Sequence, residues 1–207
     1  MPPVTIANPD PHKVVQARVL SVNKDHVVLD RQWQGTDRLP FDFVTIATGA
    51  RHPAPGNLPE ALDESKAAGV AYLQRLQNKV MGAKSIVIIG GGAFGVQMAT
   101  DIKDLFPSKK VTVVQSRPHL MPQFDTRCHD IVVSRFNELG VEFITNTRVT
   151  IPEGGFPETG ETFDVTLTDG RKIEADLVIQ AAGAKPNNEL VSRAKRRVCH
   201  HALLPFS

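Results

Sequence analysis

The chain has 207 residues, 41% hydrophobic and 22% charged, ordinary for a soluble globular protein that buries the core of one domain or two small ones. Its formal net charge of +2 comes from interspersed basic and acidic residues, which gives no electrostatic case for a nucleic acid or an acidic partner. No apolar run approaches the roughly 18 residues that a membrane span needs, so none is expected.

The N-terminus, "MPPVTIANPDPHK", carries no apolar h-region and no Gly at position 2, which disfavours secretion and N-myristoylation. Residues 1–12 read as loose and Pro-rich. "QARVLSVNKDHVVLDRQ" alternates apolar and polar residues on both sides of Asn23-Lys24-Asp25, a hairpin signal. "FDFVTIATGA" reads as a buried strand ending at Gly49, and "RHPAPGNLP" as a linker. Apolar residues at 67, 70, 71, 73, 76 and 80 predict a helix over Leu62–Val80, with Gly82 just past its end.

Ile86–Ile89 is a short apolar run, Gly90–Gly92 a turn, and Met98, Ala99, Ile102, Leu105 and Phe106 follow helical spacing until Pro107. Val111–Val114 is a second apolar run. Asp125 or Thr126 can cap a helix that places Cys128, Ile131, Val132, Phe136 and Leu139 on one face, with Gly140 as its stop. Val141–Ile144 is a third strand. The alternation of strand and helix predicts a parallel sheet covered by helices. Residues 147–174 read instead as an antiparallel meander with Asp169-Gly170 as a hairpin turn, and "DLVIQAAGA" returns to a buried strand. This last strand echoes an earlier one: Asp42, Val44, Ala47, Gly49 and Ala50 recur at 176, 178, 181, 183 and 184, each offset by 134. The repeat points to two related domains.

Gly90-x-Gly92-x-x-Gly95 follows a strand and opens a helix, the context in which this pattern binds a dinucleotide. Gly90 permits the turn, Gly92 lets backbone approach a pyrophosphate, and Gly95 lets helix and strand pack closely. With Gly91 between them, the N–H groups of Ala93 and Phe94 and the helix dipole favour an anion. The alternative is a plain glycine turn. Gln115, Ser116 and Arg117 end the second strand, where a ribose-binding acid usually stands. Gln115 can hydrogen-bond ribose hydroxyls without repelling a 2′-phosphate, and Arg117 can pair with one; otherwise both are ordinary loop residues. The combination predicts tolerance of NADPH as well as NADH. Thr48-Gly49-Ala50 and Ala182-Gly183-Ala184 end the echoed strands with small residues, either for close approach of a ligand or as packed turns. Gln97 lies early in the glycine-loop helix, facing a ligand or solvent. Cys128 and Cys199 form no Cys-x-x-Cys pair, which points to a reducing, cytoplasmic setting and no dithiol centre. Cys199-His200-His201 lacks a second pair of ligands, so no metal site is expected. Lys195-Arg196-Arg197 reads as a solvated tail.

On "TIATGA" (45–50), "SIVIIGGGAFGVQMATDIK" (85–103), "VTVVQSRP" (111–118) and "ADLVIQAAGAKPN" (175–187), the chain resembles the two-dinucleotide-binding-domain flavoproteins of the pyridine nucleotide-disulfide oxidoreductase fold. Within them it resembles the apoptosis-inducing factor-like branch, which includes the ferroptosis suppressor protein type. The resemblance implies an α/β fold: a Rossmann-like three-layer dinucleotide-binding domain with an antiparallel meander, plus a partial second, FAD-type domain. It implies a loose N-terminus over 1–12, a partial FAD-type domain over 13–55, an NAD(P)H-binding domain over 56–192 and an atypical tail over 193–207. It places Gly90, Gly92 and Gly95 on the NAD(P)H pyrophosphate, Gln115 and Arg117 near the adenosine ribose, and Gly183 beside the nucleotide. Thr48 and Gly49 correspond to a turn near FAD, and Gln97 to a place often held by Glu near the nicotinamide.

The implied cofactors are FAD and NAD(P)H, and the implied reaction is hydride transfer to flavin and onward to a small-molecule acceptor, a quinone. The flavin carries the chemistry, so no catalytic side chain is assigned. The first FAD glycine loop, a later Gly-Asp motif and a C-terminal dimerisation or membrane-associating region of the resembled family have no counterpart here, so the chain reads as a middle piece. Peripheral membrane association through those regions, and a mitochondrial or membrane-associated setting, are expectations for a longer relative. The alternatives are a non-catalytic NAD(P)H-binding module without flavin and, less favoured, a flavin-free dehydrogenase.

Overall fold

The computed structural model describes residues 13–53 and 65–191. The first residues of the expected helix (62–64), the expected loose N-terminus over 1–12 and the tail from 193, with its Cys-His-His and basic runs, lie outside the described residues. Contacts divide the chain into two units, Ala50–Lys185 and Met1–Gly49 with Pro186–Ser207.

The larger unit is built on β5 (Ser85–Ile89), β6 (Lys110–Val114), β7 (Glu142–Ile144) and β10 (Leu177–Gln180), which form one sheet in the order β10-β5-β6-β7. All three pairings are parallel; Ile88 stands beside Val113 on one side and Ile179 on the other. Near-continuous β-branched runs suit such strands because both faces are covered. Alternation then sorts the side chains. Ile86, Ile88, Val111 and Val113 join a core with Ala99, Ile102 and Phe136 from the helices. Val87 and Val114 point the other way, into a second core with Val149, Val165, Leu167 and Ala175. The described helices therefore cover one face. The meander, β8 (Phe163–Thr166) and β9 (Lys172–Ala175), covers the other, its hairpin turning at Gly170 with φ 87°.

Helix α1 (Lys66–Gly82) starts at Ser65, whose hydroxyl accepts the Ala68 N–H at 3.2 Å. Helix α2 (Ala93–Leu105) starts at Gly92, and α3 (Arg127–Leu139) ends at Gly140 in the left-handed region, φ 69°. Asp125 Oδ1 accepts the Arg127 N–H at 3.0 Å at the start of α3. One expectation for α3 fails: Ile131 is 69% exposed while Phe136 is fully buried. The two are five residues apart, roughly 140° around the helix, so both cannot face one core.

The smaller unit holds an antiparallel sheet of β1 (Val19–Val22), β2 (His26–Trp33) and β3 (Thr36–Pro40), with Val22, Val27 and Leu29 as its buried core. The turn at Asn23–Asp25 is where the sequence predicts it. A second turn at Gln34-Gly35 has φ 52° and 83°, the left-handed pair of a tight hairpin, and produces the strand β3 that the sequence reading did not anticipate. The expected buried strand ending at Gly49 does not form. Residues 42–49 have no strand assignment, and Phe43 is 96% exposed. A strand needs a ladder of backbone bonds to a neighbouring strand, and among the described residues no strand lies beside this segment, whose backbone is held only at its end, where Asn187 bonds Thr48 and Gly49. Beyond it, β4 (Ala50–Arg51) and β11 (Lys185–Pro186) form a two-residue ribbon.

Candidate nucleotide site

At the carboxyl end of β5 the backbone turns sharply. Gly90 has φ 111°, outside the range of L side chains, and a Cβ there would lie 2.9 Å from the Ala182 Cβ. The first turn of α2 passes so close that a Cβ on Gly95 would sit 1.8 Å from the Gly90 carbonyl oxygen. These glycines are required by the protein's own packing. Gly92 differs: a Cβ there would meet nothing within 4 Å. Open space therefore lies over the backbone at the helix start, where the first N–H groups of α2 have no partner inside the helix.

The turn is fastened to the end of β6. Gly90 N–H donates to Val114 O at 2.8 Å, and Met121 N–H to Gly91 O at 2.7 Å. Gln115, only 5% exposed, uses both ends of its amide: Oε1 accepts the Gly91 N–H at 3.2 Å, and Nε2 donates to His119 O at 3.1 Å. Leu120 N–H in turn donates to His129 Nδ1 at 3.1 Å, tying the same loop to α3.

Beside this turn a cavity of about 290 Å³ opens along the carboxyl edge of the sheet, lined by Gly90, Gln115, Ser116, Arg148, Ala182 and Gly183 among others. Its size is near the lower end for small-ligand sites, and its place is the usual one in open α/β folds. Of the residues singled out from sequence, it gathers Gly90, Gln115, Ser116, Ala182 and Gly183. Gln97 is exposed on α2 and does not line it. Ala93 is exposed, and Phe94 lines a larger apolar cavity between α1 and α2, its ring 6.1 Å from that of His52. Arg117 lines a separate cavity of about 220 Å³ with Pro118, Pro122 and Thr126.

Sequence reasoning missed Thr147, Arg148 and Gln180, which also line the nucleotide-type cavity. Their signal was positional: each lies at or just past the carboxyl end of a parallel strand. Arg148 is held through its backbone, its N–H donating to Thr168 Oγ1 at 3.2 Å and its carbonyl accepting the Thr168 N–H at 2.8 Å. The neighbouring hairpin carries a charge clamp. The Arg171 guanidinium, with the Arg171 N–H and Thr147 assisting, holds the Asp169 carboxyl well below the usual carboxylate range.

In the smaller unit, Thr48 and Gly49 are fastened to Asn187. Thr48 Oγ1 donates to Asn187 O at 2.6 Å, Asn187 Nδ2 donates to Thr48 O at 2.8 Å, and Asn187 N–H donates to Gly49 O at 3.0 Å. Ala50 begins β4. Among the described residues no group of three His, Cys, Asp or Glu side chains could hold a metal ion, and no helix is long and apolar enough to cross a membrane.

A parallel sheet with a glycine turn at its carboxyl edge, helices on one face and a meander on the other defines a dinucleotide-binding α/β protein. The chain belongs to the pyridine nucleotide-disulphide oxidoreductase family, whose profile matches residues 7–202. It is similar to Fe-regulated protein 8 of Mycosarcoma maydis, 37% identical over 194 residues that cover 88% of this chain and 48% of that protein. It is also similar to human ferroptosis suppressor protein 1, 30% identical over 167 residues covering 78% and 43% of the two chains. Among solved structures, the ferredoxin reductase for the CYP199A2 system of Rhodopseudomonas palustris aligns with a TM-score of 0.63 at 22% identity, over 87% of this chain and 43% of its own. The NAD-dependent persulfide reductase of A. fulgidus aligns at 0.61 and 26% identity, over 87% and 33%. The chain thus spans about half the length of the curated relatives it matches.

Proposed function

We propose that this chain supplies the NAD(P)H-binding part of a flavin oxidoreductase that takes hydride from NAD(P)H and delivers electrons to a quinone-type acceptor. The observation that carries the reading is the open space over Gly92 at the helix start, beside a cavity that Gly90 lines at the carboxyl edge of the parallel sheet. Backbone N–H groups of Ala93 and Phe94 would meet the pyrophosphate, Gly90–Gly92 would give it room, and Ser116, Ala182 and Gly183 would flank the nucleotide. In this reading residues 56–192 are the NAD(P)H domain and 13–55 part of an FAD-type domain. Bound FAD would accept the hydride and relay electrons, so the chain's own residues need only bind and orient the donor. The name of one relative, an FAD-dependent oxidoreductase of Flammulina velutipes, supports the flavin part of the proposal.

A second reading, an NAD(P)H-binding module without flavin, draws on the Thr48–Asn187 clip. The hydroxyl and backbone expected beside FAD are there bonded to another part of the protein. The absorption spectrum separates the two. A purified chain with flavin bands that bleach when NADH or NADPH is added carries the enzyme reading. A colourless chain that binds either nucleotide carries the module, and binding of neither removes both.

A further inference from the structure

The cavity beside the glycine turn has a charge pattern of its own. Among the described residues lining it, Arg148 alone is charged and none is a carboxylate; the rest are apolar, glycine, or the neutral Gln115, Ser116, Thr147 and Gln180. The nearest charged candidate from sequence, Arg117, lines the other cavity with Pro118 and Pro122. Gln115 occupies the tip of β6, the ribose position, yet its amide oxygen and nitrogen are already bonded to Gly91 and His119.

We infer that Arg148 is the specificity-determining residue of this site and binds the 2′-phosphate of NADPH. The inference rests on the nucleotide reading above and deepens it. Position supports the ribose side over the pyrophosphate side. Gly92 and the start of α2 lie at the end of β5, whereas Thr147 and Arg148 follow β7, across β6 and next to Ser116 in the same cavity. Thr147 N–H donates to Gln115 O at 3.4 Å, which holds the two segments side by side. A guanidinium has five donors in a rigid fork suited to a phosphate, and no acid among the described residues lining the cavity competes for it. Its backbone is fixed on both sides by Thr168, so the base of the long side chain does not wander. Among the described residues Arg148 makes no ion pair that would have to be broken first. The strand tip supplies shape, through a Gln115 that buttresses the turn, and the third strand's end supplies charge.

The test is direct binding of NADPH and NADH to the full 207-residue chain at one fixed salt concentration, followed by nicotinamide fluorescence. Four proteins are compared: unaltered, Arg148→Ala, Arg148→Lys and Arg117→Ala. The unaltered chain should prefer NADPH. Arg148→Ala should weaken NADPH by about tenfold or more while moving NADH less than about twofold, as expected for loss of a charge-assisted contact. Arg148→Lys should keep part of the preference, and Arg117→Ala should leave the NADPH-to-NADH ratio unchanged. Circular dichroism of each variant confirms the fold; Arg148 is exposed, so its truncation leaves the cores intact. Equal weakening of both nucleotides by Arg148→Ala, or loss of the preference in Arg117→Ala instead, overturns the assignment. An unaltered chain that binds both nucleotides equally overturns it too, but leaves the nucleotide site standing. Binding of neither nucleotide removes the site reading itself, and the assignment with it.

Discussion

The side chain of Gln115 bridges the glycine turn and the loop after β6, accepting from Gly91 N–H at 3.2 Å and donating to His119 O at 3.1 Å. A residue that stands where a ribose ligand is expected therefore works first as a brace. Replacing it with Leu should leave the buried Gly91 N–H unpaired and cost about 1–3 kcal/mol of unfolding free energy. Urea unfolding measures this. A variant as stable as the parent would show that the bridge carries no load.

Gly95 and Gly92 make a contrasting pair. Gly95→Ala pushes a methyl to within 1.8 Å of the Gly90 carbonyl, so turn and helix must separate. The expected result is loss of at least about 3 kcal/mol, or no folded protein. Gly92→Ala meets nothing within 4 Å and has an ordinary φ of −81°. It should fold within about 1 kcal/mol of the parent yet bind nucleotide more weakly, because the methyl occupies the space a pyrophosphate needs. Unfolding curves and a nucleotide titration on the same two proteins check both halves.

Lys109 holds the end of α1. Its Nζ donates to Met81 O at 2.8 Å and to Ala83 O, and sits 4.9 Å from the Phe106 ring centroid. Helix α1 has no fully buried residue, so this cap weighs heavily in its attachment. Lys109→Met keeps the stem and removes the charge. It should cost about 1–3 kcal/mol and speed amide exchange in α1 before the central strands. Uniform exchange across the unit would contradict a local cap.

The Asp169–Arg171 clamp predicts a pH response. Arg171 Nη2 lies 2.6 Å from Asp169 Oδ2, and the carboxyl is held below its usual range. Because the folded-state value is depressed, the stabilisation is present above the unfolded value of about 3.9 and is lost as pH falls below it. A side-chain carbon NMR titration should show Asp169 staying charged into more acid solution than an ordinary Asp, and moving back toward about 3.9 in Arg171→Ala. Coincident titrations of parent and variant would remove the clamp. The pair is exposed, so a small effect on global stability is expected.

Much of the larger unit is legible in its sequence. Short apolar runs, a glycine turn and helices stopped at Pro107 and Gly140 specify the strand–helix order locally, and Asp169-Gly170 marks its own hairpin. The same reasoning misread residues 42–49. Their apolar pattern and their echo at 176–183 read as a strand, but pairing is a property of two segments, and among the described residues only the second copy has a neighbouring strand. The hairpin at Gln34-Gly35 was missed because its signal is one glycine between strands of uneven alternation.

For the candidate site, the glycine spacing at 90, 92 and 95 between an apolar run and a helical pattern marked a strand turning into a helix, and the structure added that close packing leaves no room for a side chain at Gly90 or Gly95. The sequence also shows that the second strand ends without an acid. Tertiary structure decided how the neighbouring residues are used. It committed the Gln115 amide to Gly91 and His119, placed Arg117 in a different cavity, and brought Arg148, far along the chain, to the cavity beside the glycine turn. The reason is that backbone constraints are written in adjacent residues, while the direction and occupancy of a polar side chain depend on partners that only the folded sheet assembles.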